Sequence, residues 1–217
     1  LSGQEKFLAV VFSLGSGYLF SYVTLALIHV LEGFVGQSSG NAVSAMESAL
    51  PPVTAILTFV VVAPIAEEFI FRRLLLDRVR IFGDGAAILI GGAAFGLFHG
   101  NLNQTLYAFV LGAVFSAIVL LTNRLRYTIG IHMLINGISV LTTLVESDLL
   151  DYLLACVILF SICFSVVLFF VRRKHYTLEP GPLPFSRAEK AHACFTSPWV
   201  WILLVGGLAY SGVSIFL

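Results

Sequence analysis

The sequence predicts an all-α fold, a polytopic bundle of about seven transmembrane helices. Hydrophobic residues make up 59% of the chain and charged residues only 11%, whereas a soluble domain carries about 25% charged residues. The mean hydropathy of +0.98 points to the same class. Apolar runs recur along the chain, and the basic residues fall between them. We therefore expect a single integral-membrane domain over residues 1–217.

Seven apolar segments predict the helices, because a bilayer-spanning helix needs about 20 mostly apolar residues. The third segment is short, and the second is expected to continue as a helix to about Arg80. The polar linker 172–198 has three prolines within 180–184, which argue against a helix in it. The predicted spans are roughly 7–31, 51–71, 86–100, 104–122, 127–145, 149–171 and 198–217.

Basic residues predict the orientation, because cytoplasmic connections carry an excess of Lys and Arg. In an alternation of seven spans, every basic residue falls on the same side of the membrane. We therefore expect a multi-pass protein of the plasma membrane with a cytoplasmic N-terminus. The basic residues are Lys6, Arg72, Arg73, Arg78, Arg80, Arg124, Arg126, Arg172, Arg173, Lys174, Arg187 and Lys190.

Charge and cysteine content exclude other classes of protein. The formal net charge is zero, so charge suggests no nucleic-acid partner. Cys156, Cys163 and Cys194 lack paired metal-ligand spacing and cannot form an even disulfide framework. The chain begins at Leu1 rather than Met, and we expect that its native start was trimmed or that an earlier segment precedes it.

The stretch APIAEEFIFRR places two adjacent carboxylates on the cytoplasmic half of the second span. A charged group within a bilayer costs ~2.5–3.5 kcal/mol on insertion scales. Glu68 and Arg72 are four residues apart, so they share a helix face and can pair. Glu67 points about 100° away. An ion pair that snorkels to the headgroups explains Glu68 and Arg72 but leaves Glu67 unexplained.

Two further motifs place polar groups in apolar helices. In GGAAFGLFHGN, His99 ends an apolar run one turn after Phe95. In IGIHMLINGIS, His132 and Asn136 lie four residues apart on one face of the fifth span. Taken singly, His99 is more simply a capping or interfacial histidine. His132 and Asn136 are more simply explained as interhelical hydrogen-bonding residues that stabilise helix packing, worth ~0.6 kcal/mol per hydrogen bond.

Together the three motifs supply the groups that hydrolysis needs. A carboxylate can take a proton from water. An imidazole can orient that water or protonate a leaving amine, and an imidazole with an amide N–H can donate to an oxyanion. No serine or cysteine lies in an obvious nucleophile motif, so water is the expected attacking group. This inventory predicts hydrolysis of a carbonyl bond in a cavity within the membrane.

The motifs EExxxR, FxxxH and HxxxN, in this order on successive apolar spans, resemble those of the CAAX protease and bacteriocin-processing (CPBP, or Abi) family of intramembrane proteases. The Ras-converting CAAX prenyl protease 2 belongs to that family. The resemblance covers about residues 51–145, the expected catalytic core, and no motif residue departs from the pattern. The compact chain looks like a prokaryotic, bacterial member, and we expect that one N-terminal helix of an eight-helix bundle is absent from it.

The resemblance implies a role for four of the motif residues. Glu67 matches the glutamate that activates water. His99 matches the histidine that holds this water or gives a proton. His132 and Asn136 match the pair that stabilises the oxyanion.

Glu68 and Arg72 match two further motif positions. Their helix spacing predicts that they neutralise each other and act as a structural brace.

The family implies a peptide or membrane-protein substrate, such as a prenylated CAAX tail or a peptide leader, met in the lipid bilayer. Two other classes stay open. One is a non-catalytic bacteriocin-immunity or scaffold protein, and the other is a proton-coupled transporter with buried Glu and His relays. We see no inverted repeat that would favour the transporter.

Zinc is the alternative to a metal-free mechanism. Glu67, His99 and His132 could hold it with an open fourth position, and Glu68 would then act as the base. The usual His-Glu-x-x-His helix is absent. We expect no cofactor and a water activated by Glu67.

The two histidines are predicted at different depths. His132 lies about five residues, or ~7 Å, past the start of its span, and His99 about thirteen, or ~20 Å. Either the stretch GDGAA at 83–87 enters the membrane as buried irregular backbone, or the predicted boundaries are wrong.

Overall fold

Every regular element is a helix in the part of the chain that the structure, a computed structural model, describes: residues 1–36, 42–172, 174, 176–183 and 185–213. No strand occurs in these ranges. Arg173, residues 37–41 and the predicted last-span residues 214–217 lie outside them. The helices are α1 Gly3–Val35, α2 Ala42–Ala49, α3 Pro52–Phe82, α4 Asp84–Phe98, α5 Leu102–Thr122, α6 Leu125–Leu144, α7 Asp148–Arg172, α8 Arg187–Thr196 and α9 Pro198–Val213.

Among the described residues, five helices are long and apolar enough to cross a membrane, namely α1, α3, α5, α6 and α7. The polytopic all-α bundle is therefore confirmed. The other two predicted spans are shorter apolar helices, α4 with 15 residues and α9 with 16. A helix of that length extends only about 22–24 Å, less than the ~30 Å hydrocarbon core of a bilayer.

The polar linker contains a helix, which the prediction from its prolines missed. Helix α8 begins at Arg187, after the proline-rich stretch has ended. Its start is capped reciprocally: the Glu189 amide donates to the Ser186 hydroxyl at 3.2 Å, and the Ser186 amide donates to the Glu189 carboxylate at 2.7 Å. This capping box was visible as SRAE in the sequence.

Helix α3 departs from α-helical geometry in three places, the last of which is a 3₁₀ turn at Arg80–Phe82. Two π-helical segments, Ile56–Val62 and Phe69–Leu75, flank the α-helical turn Ala63–Glu68. In the first, the Ala63 amide donates to the Thr58 carbonyl five residues back. Pro64 explains this register, because its ring clashes with the carbonyl four residues earlier and it has no N–H to give. No proline or glycine marks the second segment.

Small residues bring α4 and α5 close enough to place the candidate site. A Cβ added to Gly96 would lie 2.6 Å from the Thr105 carbonyl, and one added to Gly112 would lie 2.8 Å from the Phe95 Cβ. Helix α1 packs against α5 and α7, and α6 packs against the first π-helical segment of α3. The four helices α3 to α6 therefore surround a common interior.

The corner between α3 and α4 is regular apart from one residue. Gly83 adopts φ = +97°, which glycine allows without steric cost, and α4 begins directly after it. The Asp84 amide donates to the Glu179 carbonyl, and the Glu179 amide donates to the Asp84 carboxylate. Residues 84–87 are thus helical, and the interpretation of GDGAA as irregular membrane-buried backbone is wrong.

Candidate active site

A buried ion pair joins Glu68 and Arg72 on α3. Nε of Arg72 lies 3.4 Å from Oε2 of Glu68, and both side chains are 0% exposed. These two atoms form an ion pair by distance, although neither has a partner with hydrogen-bond geometry. Nη2 of Arg72 also donates to the Gly112 carbonyl at 3.2 Å. The predicted pairing is therefore present, and it ties α3 to α5.

Three aromatic rings surround the Arg72 guanidinium. Its central carbon lies 4.4 Å from the ring centroid of Phe95, 5.5 Å from that of Phe115 and 5.8 Å from that of Phe71. A cation within about 6 Å of a ring face is attracted by the ring quadrupole. The rings thus replace part of the hydration that the guanidinium loses on burial.

His132 lies between the two carboxylates of α3. Its Nδ1 is 3.2 Å from Oε1 of Glu68, and its Nε2 is 3.9 Å from Oε2 of Glu67. An ionised carboxylate only accepts hydrogen bonds, so Nδ1 donates to Glu68. One imidazole therefore lies within 4 Å of a carboxylate oxygen of each glutamate, through a different ring nitrogen for each. The rings of Phe95 and Phe115, each 5.7 Å away, hold that imidazole.

Glu67 retains an oxygen without a hydrogen bond. Its Oε2 is buried and unpartnered, although the side chain as a whole is 18% exposed. The 3.9 Å gap to Nε2 of His132 is too long for a direct hydrogen bond. It is short enough for both atoms to bind one water. Because buried polar atoms are nearly always bonded, this oxygen needs a partner from outside the protein.

His99 terminates α4 and contacts the same aromatic ring as His132. Its Nδ1 donates to the Phe95 carbonyl at 2.8 Å, which leaves a lone pair on Nε2 of the neutral ring. Its ring packs edge-on against Phe95 at 4.8 Å. His99 comes fifteen residues after Asp84 and His132 seven after Leu125. The turns that precede α4 and α6 therefore lie at different distances along their helices from the site, and the predicted difference between the two histidines is present in the structure.

Asn136 is held by the first π-helical segment. Its Nδ2 donates to the Phe59 carbonyl at 2.9 Å. This bond uses one of the two amide protons and leaves the second for another acceptor. Asn136 lies one helical turn after His132, so its amide and the imidazole sit on the same side of α6.

Two cavities described in the structure lie away from these residues. One, of about 420 Å³, is lined by Asp77, Arg80, Ile81, Asp84, Glu179, Pro180, Gly181 and Pro182. The other, of about 410 Å³, lies between α1, α4, α5 and α9, and its lining residues include Leu27, Gly96, Phe109 and Leu208. Neither cavity is lined by a predicted site residue, so the cavity predicted for the site is neither of these two.

The zinc alternative finds no ready ligand set in the described ranges. No group of three or more His, Cys, Asp or Glu side chains there is placed to hold a metal. Glu67 and His132 lie close enough to bind one small species together, whereas His99 directs Nδ1 to the backbone of its own helix.

Comparison with known proteins gives one family match. Residues 49–138 match the family model described as type II CAAX prenyl endopeptidase Rce1-like. The match covers less than half of the chain, and it contains all six predicted site residues. Residues 49–138 are therefore similar to the Rce1-like family. No curated protein and no solved structure matches the chain. The description of that family model names a CAAX prenyl endopeptidase, so residues 49–138 resemble a membrane protease of this type.

Sequence reasoning missed the supporting groups of this candidate site. The Gly112 carbonyl and the Phe115 ring come from α5, a helix that carries no motif, and nothing in the sequence singled them out. The Phe59 carbonyl precedes Pro64 by five residues, and that proline was a signal within an otherwise apolar run. The reaction roles of the motif residues stay predictions.

Proposed function

We propose that the chain is an intramembrane endopeptidase that hydrolyses a peptide bond of a membrane-associated, lipidated or leader-bearing substrate. The observation that carries this proposal is the pair formed by Oε2 of Glu67 and Nε2 of His132. The first atom is buried and unbonded, and the two are 3.9 Å apart. The family match over residues 49–138 supports peptide-bond hydrolysis.

Glu67 acts as the general base. Its carboxylate takes a proton from a water bound between Glu67 and His132 while the water oxygen attacks the peptide carbonyl carbon. A C–O bond forms, and the carbonyl π electrons move to the oxygen. His99, whose lone pair on Nε2 can accept a hydrogen bond, helps to hold the water. On collapse the C–N bond breaks, and the departing amine takes the proton from Glu67. The products are an amine and a carboxylic acid, which then releases its proton to water and becomes a carboxylate.

Asn136 and His132 stabilise the oxyanion. Asn136 donates the amide proton that the Phe59 carbonyl does not use. His132 donates from Nε2 when both of its nitrogens carry protons, because Nδ1 is committed to Glu68. The buried Glu68–Arg72 pair thus acts through His132 and touches no reacting atom.

The active site serves substrates that reach it from the cytoplasm or from the plane of the plasma membrane. Lys190 supports this orientation, because its Nζ donates to the carbonyls of Phe82 and Pro180 and so holds the basic linker against the end of α3. Residues 72–85, 122–127 and 172–198 are then cytoplasmic. Single cysteines placed there should resist an impermeant thiol reagent applied from outside the cell. Labelling of the linker from outside would overturn this orientation.

A glutamine at position 67 tests the proposal. Glu67→Gln keeps the shape and removes the base, so we expect kcat on a prenylated CAAX-type peptide in proteoliposomes to fall by about 10²–10⁴-fold. Asn136→Ala removes one oxyanion donor and should cost ~10²–10³. The control is Asp77→Asn, which neutralises a half-exposed carboxylate of the same helix and should leave kcat unchanged.

Two results would overturn the mechanism. Unchanged cleavage by folded Glu67→Gln would show that Glu67 is not the general base. Absence of any cleavage by the wild type would favour the scaffold or transporter class. Chelation separates the zinc alternative, since a metal acting as Lewis acid is lost to a strong chelator and restored by added zinc. We expect cleavage to survive thorough chelation.

A further inference from the structure

The backbone carbonyl of Phe59 is deprived of its helical partner by a proline. In the π-helical register of this segment, the Ala63 amide donates to the Thr58 carbonyl. The next donor in the same register would be the amide of residue 64, five residues after Phe59. That residue is Pro64, which has no N–H. The partner that the Phe59 carbonyl has instead is Nδ2 of Asn136, at 2.9 Å.

We propose that Pro64 is a positioning residue for Asn136. By withholding a backbone N–H, it leaves the Phe59 carbonyl free to hold the Asn136 amide in one orientation. The effect of this orientation on turnover rests on the function proposed above. The effect on the amide itself does not.

The bond selects which end of the amide faces α3. A carbonyl accepts only from the NH₂ end, so Nδ2 faces Phe59 and the direction of its second proton is set. The bond also satisfies a carbonyl that has no backbone donor in its own helix, and a backbone carbonyl within a membrane is costly to leave unbonded. An Asn136 side chain without this contact would be free to visit other staggered rotamers.

Pro64 also lies on the same helix as the proposed base. It precedes Glu67 by three residues and Glu68 by four, and its ring is fully buried. The α-helical turn Ala63–Glu68 that carries both glutamates begins next to it. Pro64 therefore lies in the turn that carries Glu67, the proposed base. It also leaves the Phe59 carbonyl free to bind the Asn136 amide.

A pair of replacements separates the missing N–H from the shape of the proline. Pro64→Ala restores an N–H, and the Phe59 carbonyl then gains a backbone donor from residue 64 in the π-helical register or from residue 63 in the α-helical one. Lactic acid in place of Pro64 has the shape of alanine, but its ester oxygen carries no proton. If the proline ring acts only through its shape, both replacements should lose the ordered Asn136 amide and lower kcat to the same extent. The positioning role predicts a loss for alanine only.

The first readout is the side-chain amide of Asn136, which does not depend on activity. The chain has five asparagines, so protein labelled with ¹⁵N-asparagine gives few amide resonances, and Asn136→Ala assigns the one of interest. In the wild type we expect one Nδ2 proton to be shifted downfield and to exchange slowly. Pro64→Ala should remove this asymmetry, whereas lactic acid at 64 and the control Pro52→Ala should keep it. Pro52 is the exposed first residue of α3.

The second readout is cleavage of the prenylated CAAX-type peptide. Pro64→Ala should lower kcat about 10-fold with KM within about 2-fold, inside the 10²-fold that a displacement of ~1 Å can cost. A further loss on combining it with Asn136→Ala should be small, because both changes remove the same donor. Lactic acid at 64 should retain kcat.

The outcomes distinguish this inference from the proposed function. An unchanged Asn136 resonance in Pro64→Ala, or equal losses with alanine and lactic acid, would overturn the positioning role. The expected change of the resonance in a protein that cleaves nothing would support the positioning role and overturn the proposed function. If Pro64→Ala does not fold, an α-hydroxy acid at Val60 turns the Phe59 carbonyl into an ester carbonyl, a weaker acceptor, with Pro64 intact. The same loss of asymmetry is expected there, and its absence would count against the inference.

Discussion

Helix α3 carries two ion pairs of the same spacing in opposite environments. Glu68 and Arg72 lie 3.4 Å apart with both side chains 0% exposed. Arg73 and Asp77, which follow this pair along α3, lie 3.2 Å apart with side chains 63% and 49% exposed. Spacing of four residues therefore produced both contacts. The surroundings of the two pairs differ completely.

The difference shows that packing between helices determines how much an ion pair contributes to the free energy of unfolding. The exposed pair is hydrated and has only its own helix as neighbour, so its contribution is that of a surface pair, ~0–1 kcal/mol. The buried pair has an imidazole on its acidic side, and a backbone carbonyl with three aromatic rings on its basic side. Removing one partner from such a set leaves a buried charge uncompensated, which costs ~3–5 kcal/mol.

The largest expected effect on stability is that of Arg72→Ala. The change leaves Glu68 facing His132 without its cation and empties the aromatic cage, so the free energy of unfolding should fall by ~3–5 kcal/mol. Unfolding in mixed detergent micelles, followed by tryptophan fluorescence, measures this loss. A loss no larger than that of Arg73→Ala would show that burial does not separate the two pairs.

A smaller effect is expected when both charges of the buried pair are removed together. Glu68→Gln with Arg72→Gln leaves no uncompensated charge, and we expect it to recover about 2 kcal/mol relative to Arg72→Ala. Cleavage should stay impaired, because Nδ1 of His132 then faces an amide in place of a carboxylate. Absence of any recovery would indicate that Glu68 and Arg72 act separately.

The comparison also marks the limit of prediction from the sequence. The EExxxR spacing predicts the pairing of Glu68 with Arg72, because a helix fixes neighbours four residues apart. The contact of Glu68 with His132 spans 64 positions, and only the packing of α6 on α3 creates it. The long apolar runs predicted the helices for the same local reason, while the second π-helical segment had no local signal.

The smallest effect is expected at the exposed pair. Arg73→Ala should change the free energy of unfolding by no more than about 1 kcal/mol. Salt gives the sharper test, because raising the ionic strength from 0.1 M to 1 M shortens the Debye length from ~10 Å to ~3 Å. Any difference between Arg73→Ala and the wild type should therefore vanish in 1 M salt, while the loss in Arg72→Ala should persist because α5 and α6 exclude ions from that pair. Unfolding curves of both variants at the two ionic strengths measure this contrast. A salt-sensitive Arg72→Ala loss would mean that water and ions reach the buried pair, and the two ion pairs of α3 would then differ in degree only.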